Sequence, residues 1–128
     1  MSLRLEAIHH VAVIATDYAR SRHFYAEILG LPVIREHRRE AAGDWKIDFQ
    51  LGNAELELFV KPDAPPRLSY PEAQGLRHLA FRVASVAETA EALRKADVRV
   101  EPLRTDAYTG KAMCFFFDPD GLPLELHE

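Results

Sequence analysis

The chain has one cysteine, Cys114, in 128 residues, so it cannot close a disulfide within itself. No basic start followed by an apolar h-region marks it for export, and the expected location is the cytoplasm. It also lacks an excess of positive charge: 20 acidic side chains stand against 16 basic ones, a net charge of -4. Such a surface offers no field for nucleic acid or for anionic membranes, and neither partner class is expected. No apolar run approaches the roughly 20 residues that span a bilayer. What remains is ordinary for a soluble domain, with 48% apolar and 28% charged residues. The length suits one domain with a substantial core.

Proline is unevenly spread, and this organises the chain. Four of the eight prolines (Pro62, Pro65, Pro66, Pro71) fall in PDAPPRLSYPEAQG, residues 62–75, which has no periodicity and reads as a linker. Before it, EAIHHVAVIAT reads as a strand, DYARSRHFYAEILG as a helix capped by Thr16 or Asp17 and closed by Gly30, and LPVIREH, WKIDF and AELELFV as strands. After it, LRHLAFRV reads as a strand and SVAETAEALRKAD as a helix, with Ser85 and Glu88 in a capping box. VRVEPL, AMCFFF and, beyond the turn DPDG, LPLELH complete the order as strands. The expected organisation is one domain over 1–128, with a first module at about 6–61, the linker, and a second module at about 76–127.

The two modules overlay without a gap. IHHVAVIAT lies on LRHLAFRVA with His10 over His78, and AELELF lies on LPLELH with Glu57 over Glu125, both at a shift of 68 residues (78 − 10, and equally 125 − 57). The overlay resolves two ambiguities, since His9 falls on Arg77 and Glu55 on Pro123. The repeated pair is therefore one histidine from a first strand and one glutamate from a last strand. The fold class expected is α+β, two tandem βαβββ modules whose apolar sheet faces are covered only by pairing.

Taken singly, each of these residues would read as a satisfied core histidine or a solvated strand acid. Four of them linked by equal intervals read as a ligand set: His10, Glu57, His78 and Glu125. Buried carboxylates near one another are costly unless something positive compensates them, and a divalent cation does so. Two nitrogen and two oxygen donors without thiolates suit Ni, Zn, Co, Mn or Fe(II) at an open catalytic or ligand-binding site better than a closed structural zinc site.

IHHVAVIATDYARSRHFYAEILGLPV, GLRHLAF and FFFDPDGLPLEL together resemble the vicinal oxygen chelate (VOC) superfamily. That superfamily includes glyoxalase I, fosfomycin resistance proteins, methylmalonyl-CoA epimerase, extradiol dioxygenases and bleomycin-binding proteins. The resemblance runs from about Glu6 to His127. It implies an open, cleft-like mixed β barrel around a divalent metal, metal ligands at His10, Glu57, His78 and Glu125, and a homodimer. The epimerase pattern has glutamine where Glu57 stands, and the dioxygenase and fosfomycin patterns use two histidines and one glutamate. Glu57 thus points to the glyoxalase-like proteins, and the chain most resembles their small bacterial branch. Dependence on glutathione does not follow.

The implied activity is that of a metal-dependent lyase of the lactoylglutathione lyase type. One of Glu57 and Glu125 would move a proton between adjacent carbons of a hemithioacetal, formed from a small carbonyl and a thiol cosubstrate, through a metal-stabilised enolate. The symmetry of the pair leaves open which one is the base. Other readings are an acyl-CoA epimerase, a thiol transferase to a fosfomycin-like antibiotic, and a binding protein without chemistry. In RTDAYTGK, Arg104, Tyr108 and Lys111 are candidates for holding an anionic group of the substrate, against the alternative of an exposed polar loop. His127, on the face of Glu125, either supports the site or is an exposed terminal side chain. His23 and His37 are expected to face solvent. Trp45, Phe115 and Phe117 are read first as core and second as pocket walls, and Cys114 as packing.

Overall fold

Hydrophobic period changes along the chain from two to about three and a half and back, twice, and the backbone follows it. The computed structural model describes residues 2–128. It has β1 (His10–Ala15), helix α1 (Tyr18–Arg22) continued by a π-helical segment (His23–Ile28), β2 (Val33–Arg39), β3 (Asp44–Leu51) and β4 (Ala54–Val60). The order then restarts with β5 (Leu79–Arg82), α2 (Val86–Lys95), β6 (Arg104–Thr105), β7 (Ala112–Phe117) and β8 (Pro123–His127). The strands form two four-stranded sheets, β1-β4-β3-β2 and β5-β8-β7-β6. In each the first strand runs parallel to the last, and the remaining pairs are antiparallel. The chain divides into two compact units, one closing at Ala64 and the other Pro65–Glu128. The α+β class and the duplicated βαβββ order read from the sequence are those of the structure.

In the first unit Asp17 caps α1, its Oδ1 accepting from the Arg20 amide at 2.9 Å. The helix widens at its end, where the Leu29 amide bonds the Phe24 carbonyl at 2.9 Å, and the chain leaves through Gly30 at φ +71°, a conformation that suits glycine. Phe24 and Tyr25 are both buried there, with Tyr25 5.9 Å from the Phe49 ring. Ile47, Phe49, Leu56, Leu58 and Val60 form the sheet side of this core. Each fully buried side chain of this size is worth about 1.5–3 kcal/mol. Alternation sends Lys46, Asp48, Glu55 and Glu57 to the other face. Trp45 is half-buried at the edge of the core, 4.8 Å from the Tyr18 ring.

In the second unit Ser85 Oγ accepts from the Glu88 amide at 3.2 Å and starts α2, whose buried Val86, Ala90 and Leu93 meet Cys114, Phe116, Leu124 and Leu126. Cys114 is fully buried, which raises its thiol pKa and agrees with the packing role expected of it. The turn after β7 is closed by Asp118, whose Oδ1 accepts from the amides of Asp120 and Leu122.

Three expectations are corrected. The strand expected over VRVEPL is reduced to an isolated bridge between Val100 and Phe116, and the ladder forms later, at Arg104–Thr105. Pro102 offers no N–H to a ladder and restricts Glu101 before it. Phe115 and Phe117 are not core residues; they are half-buried on the face of Glu125, and Phe116 between them fills the core. The first apolar run is regular strand only from His10, and Leu3, Leu5 and Ile8 before it are exposed.

Candidate metal and substrate site

The strand register explains how the repeated histidine and glutamate meet. β1 and β4 are parallel neighbours with Ala12 opposite Glu57, so the side chain of His10, two residues earlier on the same face, leans toward that carboxylate. His10 Nε2 stands 3.7 Å from Glu57 Oε1. β5 and β8 repeat the arrangement with Ala80 opposite Glu125, and His78 Nε2 stands 3.1 Å from Glu125 Oε1. Each unit thus offers one imidazole nitrogen and one carboxylate oxygen on its polar face. Among the described residues, no three His, Cys, Asp or Glu side chains gather as a cation site.

The two pairs differ in their surroundings. Glu57 shares its face with charge: Lys46 Nζ is 3.7 Å from its Oε2, and Asp48 lies directly across the ladder. Burial alone would raise the Asp48 carboxyl, but Lys46 at 2.7 Å and Arg35 at 2.9 Å outweigh it and hold the pKa below the usual carboxylate range. Arg35 also takes up Glu55, which leaves Glu57 as the acid that faces the histidine. Glu125 is 8% exposed, has Phe115 across the ladder, and has no Lys or Arg within ion-pair distance among the described residues. The Phe115 ring stands edge to face with His78 at 5.1 Å. His9 Nδ1 lies 2.9 Å from His10 Nδ1, a contact that the overlay of the two halves did not suggest because it sets His9 against Arg77.

The other candidates fall in different places. Arg104 lines a cleft beside His78, whereas Tyr108 is 97% exposed and Lys111 is also exposed, and neither lines that cleft. His127 faces Asp106, with Nε2 3.0 Å from Oδ2, and that hydrogen bond raises the imidazole pKa while lowering that of Asp106. It is hydrogen-bonded to the 106 loop, and the Glu125 carboxylate adds to the rise in its pKa. His23 and His37 are exposed. Sequence reasoning passed over Lys46 as a neighbour of Glu57, although the alternation of WKIDF places it on that face, and passed over Arg67 because aperiodic linkers carry no facing signal.

A duplicated βαβββ topology is a narrow description, and the comparisons agree with that fold. The sequence profile of the Glyoxalase/Bleomycin resistance protein/Dioxygenase superfamily matches residues 7–126. The chain belongs to this superfamily. It is 50% identical over 125 residues to the uncharacterised protein YwkD of Bacillus subtilis, covering 97% of this chain and 98% of that one. It is 30% identical to the metallothiol transferase FosB of Staphylococcus saprophyticus, covering 96% of this chain and 77% of that one. The crystal structure of a glyoxalase family protein from Enterococcus faecalis superposes with a TM-score of 0.90 at 53% identity, over 96% of this chain and 98% of that one. Among the described residues of this superfamily member, no helix is long and apolar enough to cross a membrane.

Proposed function

We propose that the protein is a divalent-metal-dependent lyase or isomerase of the glyoxalase kind, acting on a small carbonyl or its hemithioacetal, with His10, Glu57, His78 and Glu125 as metal ligands. The observation that carries this reading is the repeated pair: a histidine Nε2 set against a glutamate Oε1, at 3.7 Å in one unit and 3.1 Å in the other, with His10 opening β1 and His78 immediately before β5. The donor set fits a divalent cation. It supplies two nitrogens and two oxygens, and the buried Glu125 has only an imidazole at ion-pair distance, so positive charge is what this pair lacks.

When bound, such a cation polarises a substrate carbonyl and eases loss of the neighbouring proton. The rest falls to the chain itself. Lys46 Nζ stands 3.7 Å from the second oxygen of Glu57 and offsets its charge, whereas Glu125 has no Lys or Arg at that distance among the described residues. Without a neighbouring ammonium to hold it in its charged form, Glu125 is the better proton acceptor of the two, and it is the carboxylate assigned to take the proton from one carbon and return it to the next. The net change in a hemithioacetal is an isomerisation to a 2-hydroxyacyl thioester, with no oxidant and no group lost. Phe115, against His78, keeps one side of the reacting atoms dry.

Elemental analysis of the purified protein, followed by turnover of methylglyoxal hemithioacetals made with several thiols, tests this. Turnover is expected with metal, and Glu125→Gln is expected to lower kcat by about 10²–10⁴ while the fold is kept. Metal-loaded protein that leaves every hemithioacetal untouched would sink the reading. A second reading, thiol transfer to a fosfomycin-like antibiotic, is favoured by the 30% identity with FosB, and metal-dependent thiol consumption with fosfomycin would establish it.

A further inference from the structure

The second unit holds a cleft of about 170 Å³ lined by His78, by linker residues that include Arg67 and Tyr70, and by Arg104, Phe115 and Phe117. Its floor and its charge are separate. The Phe115 ring lies 5.1 Å from the His78 ring, and the Arg104 guanidinium lies 5.3 Å from the Phe115 ring centre. The same aromatic ring thus contacts both the histidine of the His78–Glu125 pair and a positive charge.

Three arginines line the cleft, and two of them have carboxylates of their own: Arg77 has Glu72 at 2.9 Å and Arg104 has Glu101 at 2.8 Å. Arg67 has no carboxylate at ion-pair distance among the described residues. Its Nη2 donates to the carbonyls of Leu76 at 3.1 Å and Arg77 at 3.0 Å, which anchors the guanidinium to the chain immediately before His78. One positive charge in this cleft is thus held in place and left unmatched. An arginine so placed suits a planar carboxylate, to which its remaining N–H groups can donate together.

We propose that the substrate of this site is itself a small organic acid, its carboxylate held by Arg67 and Arg104, its short apolar stem on Phe115 and Phe117, and its reacting carbon beside Glu125. This deepens the lyase reading and rests on it for the position of the reacting end. The anion-binding half stands on the cleft alone and is testable without metal or turnover.

The test titrates chelator-treated full-length protein with benzoate and with its neutral counterpart benzamide, following the His78 and Phe115 ring resonances by NMR. Benzoate is expected to shift both rings and to bind at least tenfold more tightly than benzamide. Arg67→Ala and Arg104→Ala are each expected to remove most of that preference, Arg104→Lys to keep part of it, and Lys95→Ala on α2 to leave it intact. Melting temperatures within a few degrees of the parent show that the variants fold. Equal binding of the acid and the amide, or a preference that survives loss of both arginines, overturns the inference. An acid preference in a protein inactive on hemithioacetals supports it while removing the lyase reading. Turnover without any acid preference does the reverse.

Discussion

Asp44 shows what a single carboxylate contributes away from the candidate site. It is 2% exposed and lies between Arg39, at 2.6 Å from its Oδ1, and Lys61, at 2.7 Å from its Oδ2. The hydrogen bond from Arg39, followed by that from Lys61, holds its pKa far below the ordinary carboxylate range. A depressed folded-state pKa means that the native protein binds fewer protons than the unfolded chain once the pH falls below about 4. The stabilisation from Asp44 is complete at neutral pH and is lost as acid is added. Asp44→Asn should lower the urea midpoint at pH 7, and the parent's advantage over this variant should shrink between pH 5 and pH 3. A difference that stays constant across that window would show that the carboxylate's charge is not what matters.

Among the elements, α2 ends with a compromise. The Val98 amide returns to the Leu93 carbonyl at 3.0 Å, which requires a left-handed residue between, and that residue is Asp97 at φ +61°. Glycine takes this conformation without a Cβ penalty, so Asp97→Gly should stabilise the protein by roughly 0.5–1 kcal/mol, read as a higher urea midpoint at unchanged slope. Elements of this kind were legible from the sequence where local chemistry decides them. Ser85 and Asp17 cap the helices they were expected to start, and alternation put Ile47, Phe49, Leu56 and Leu58 into the core and Glu57 and Glu125 on the opposite faces of their sheets. Legibility failed where a single proline overrode the apolar pattern or where partners far along the chain decide. Pro102 displaced a strand to Arg104, and three successive phenylalanines in β7 gave no hint that the middle one is core. Arg67 acquires its place only because the linker folds back so that it bonds the carbonyls of Leu76 and Arg77.

At the scale of the whole molecule the duplication itself makes a prediction. Two sheets of the same topology each present one His–Glu pair, and a pair supplies only half of the four donors that a tetrahedral ion needs. If the four side chains serve one ion, as proposed, purified protein should carry close to one equivalent of divalent metal per chain. Removing either pair, by His10→Ala with Glu57→Ala or by His78→Ala with Glu125→Ala, should then abolish tight binding altogether, because the two donors that remain cannot hold the ion. If each unit instead bound metal by itself, the parent would carry two equivalents and each double variant one. Atomic absorption on the three proteins, with circular dichroism to confirm that each retains its fold, separates the two arrangements. A double variant that keeps the parent's metal content would remove that pair from the ligand set.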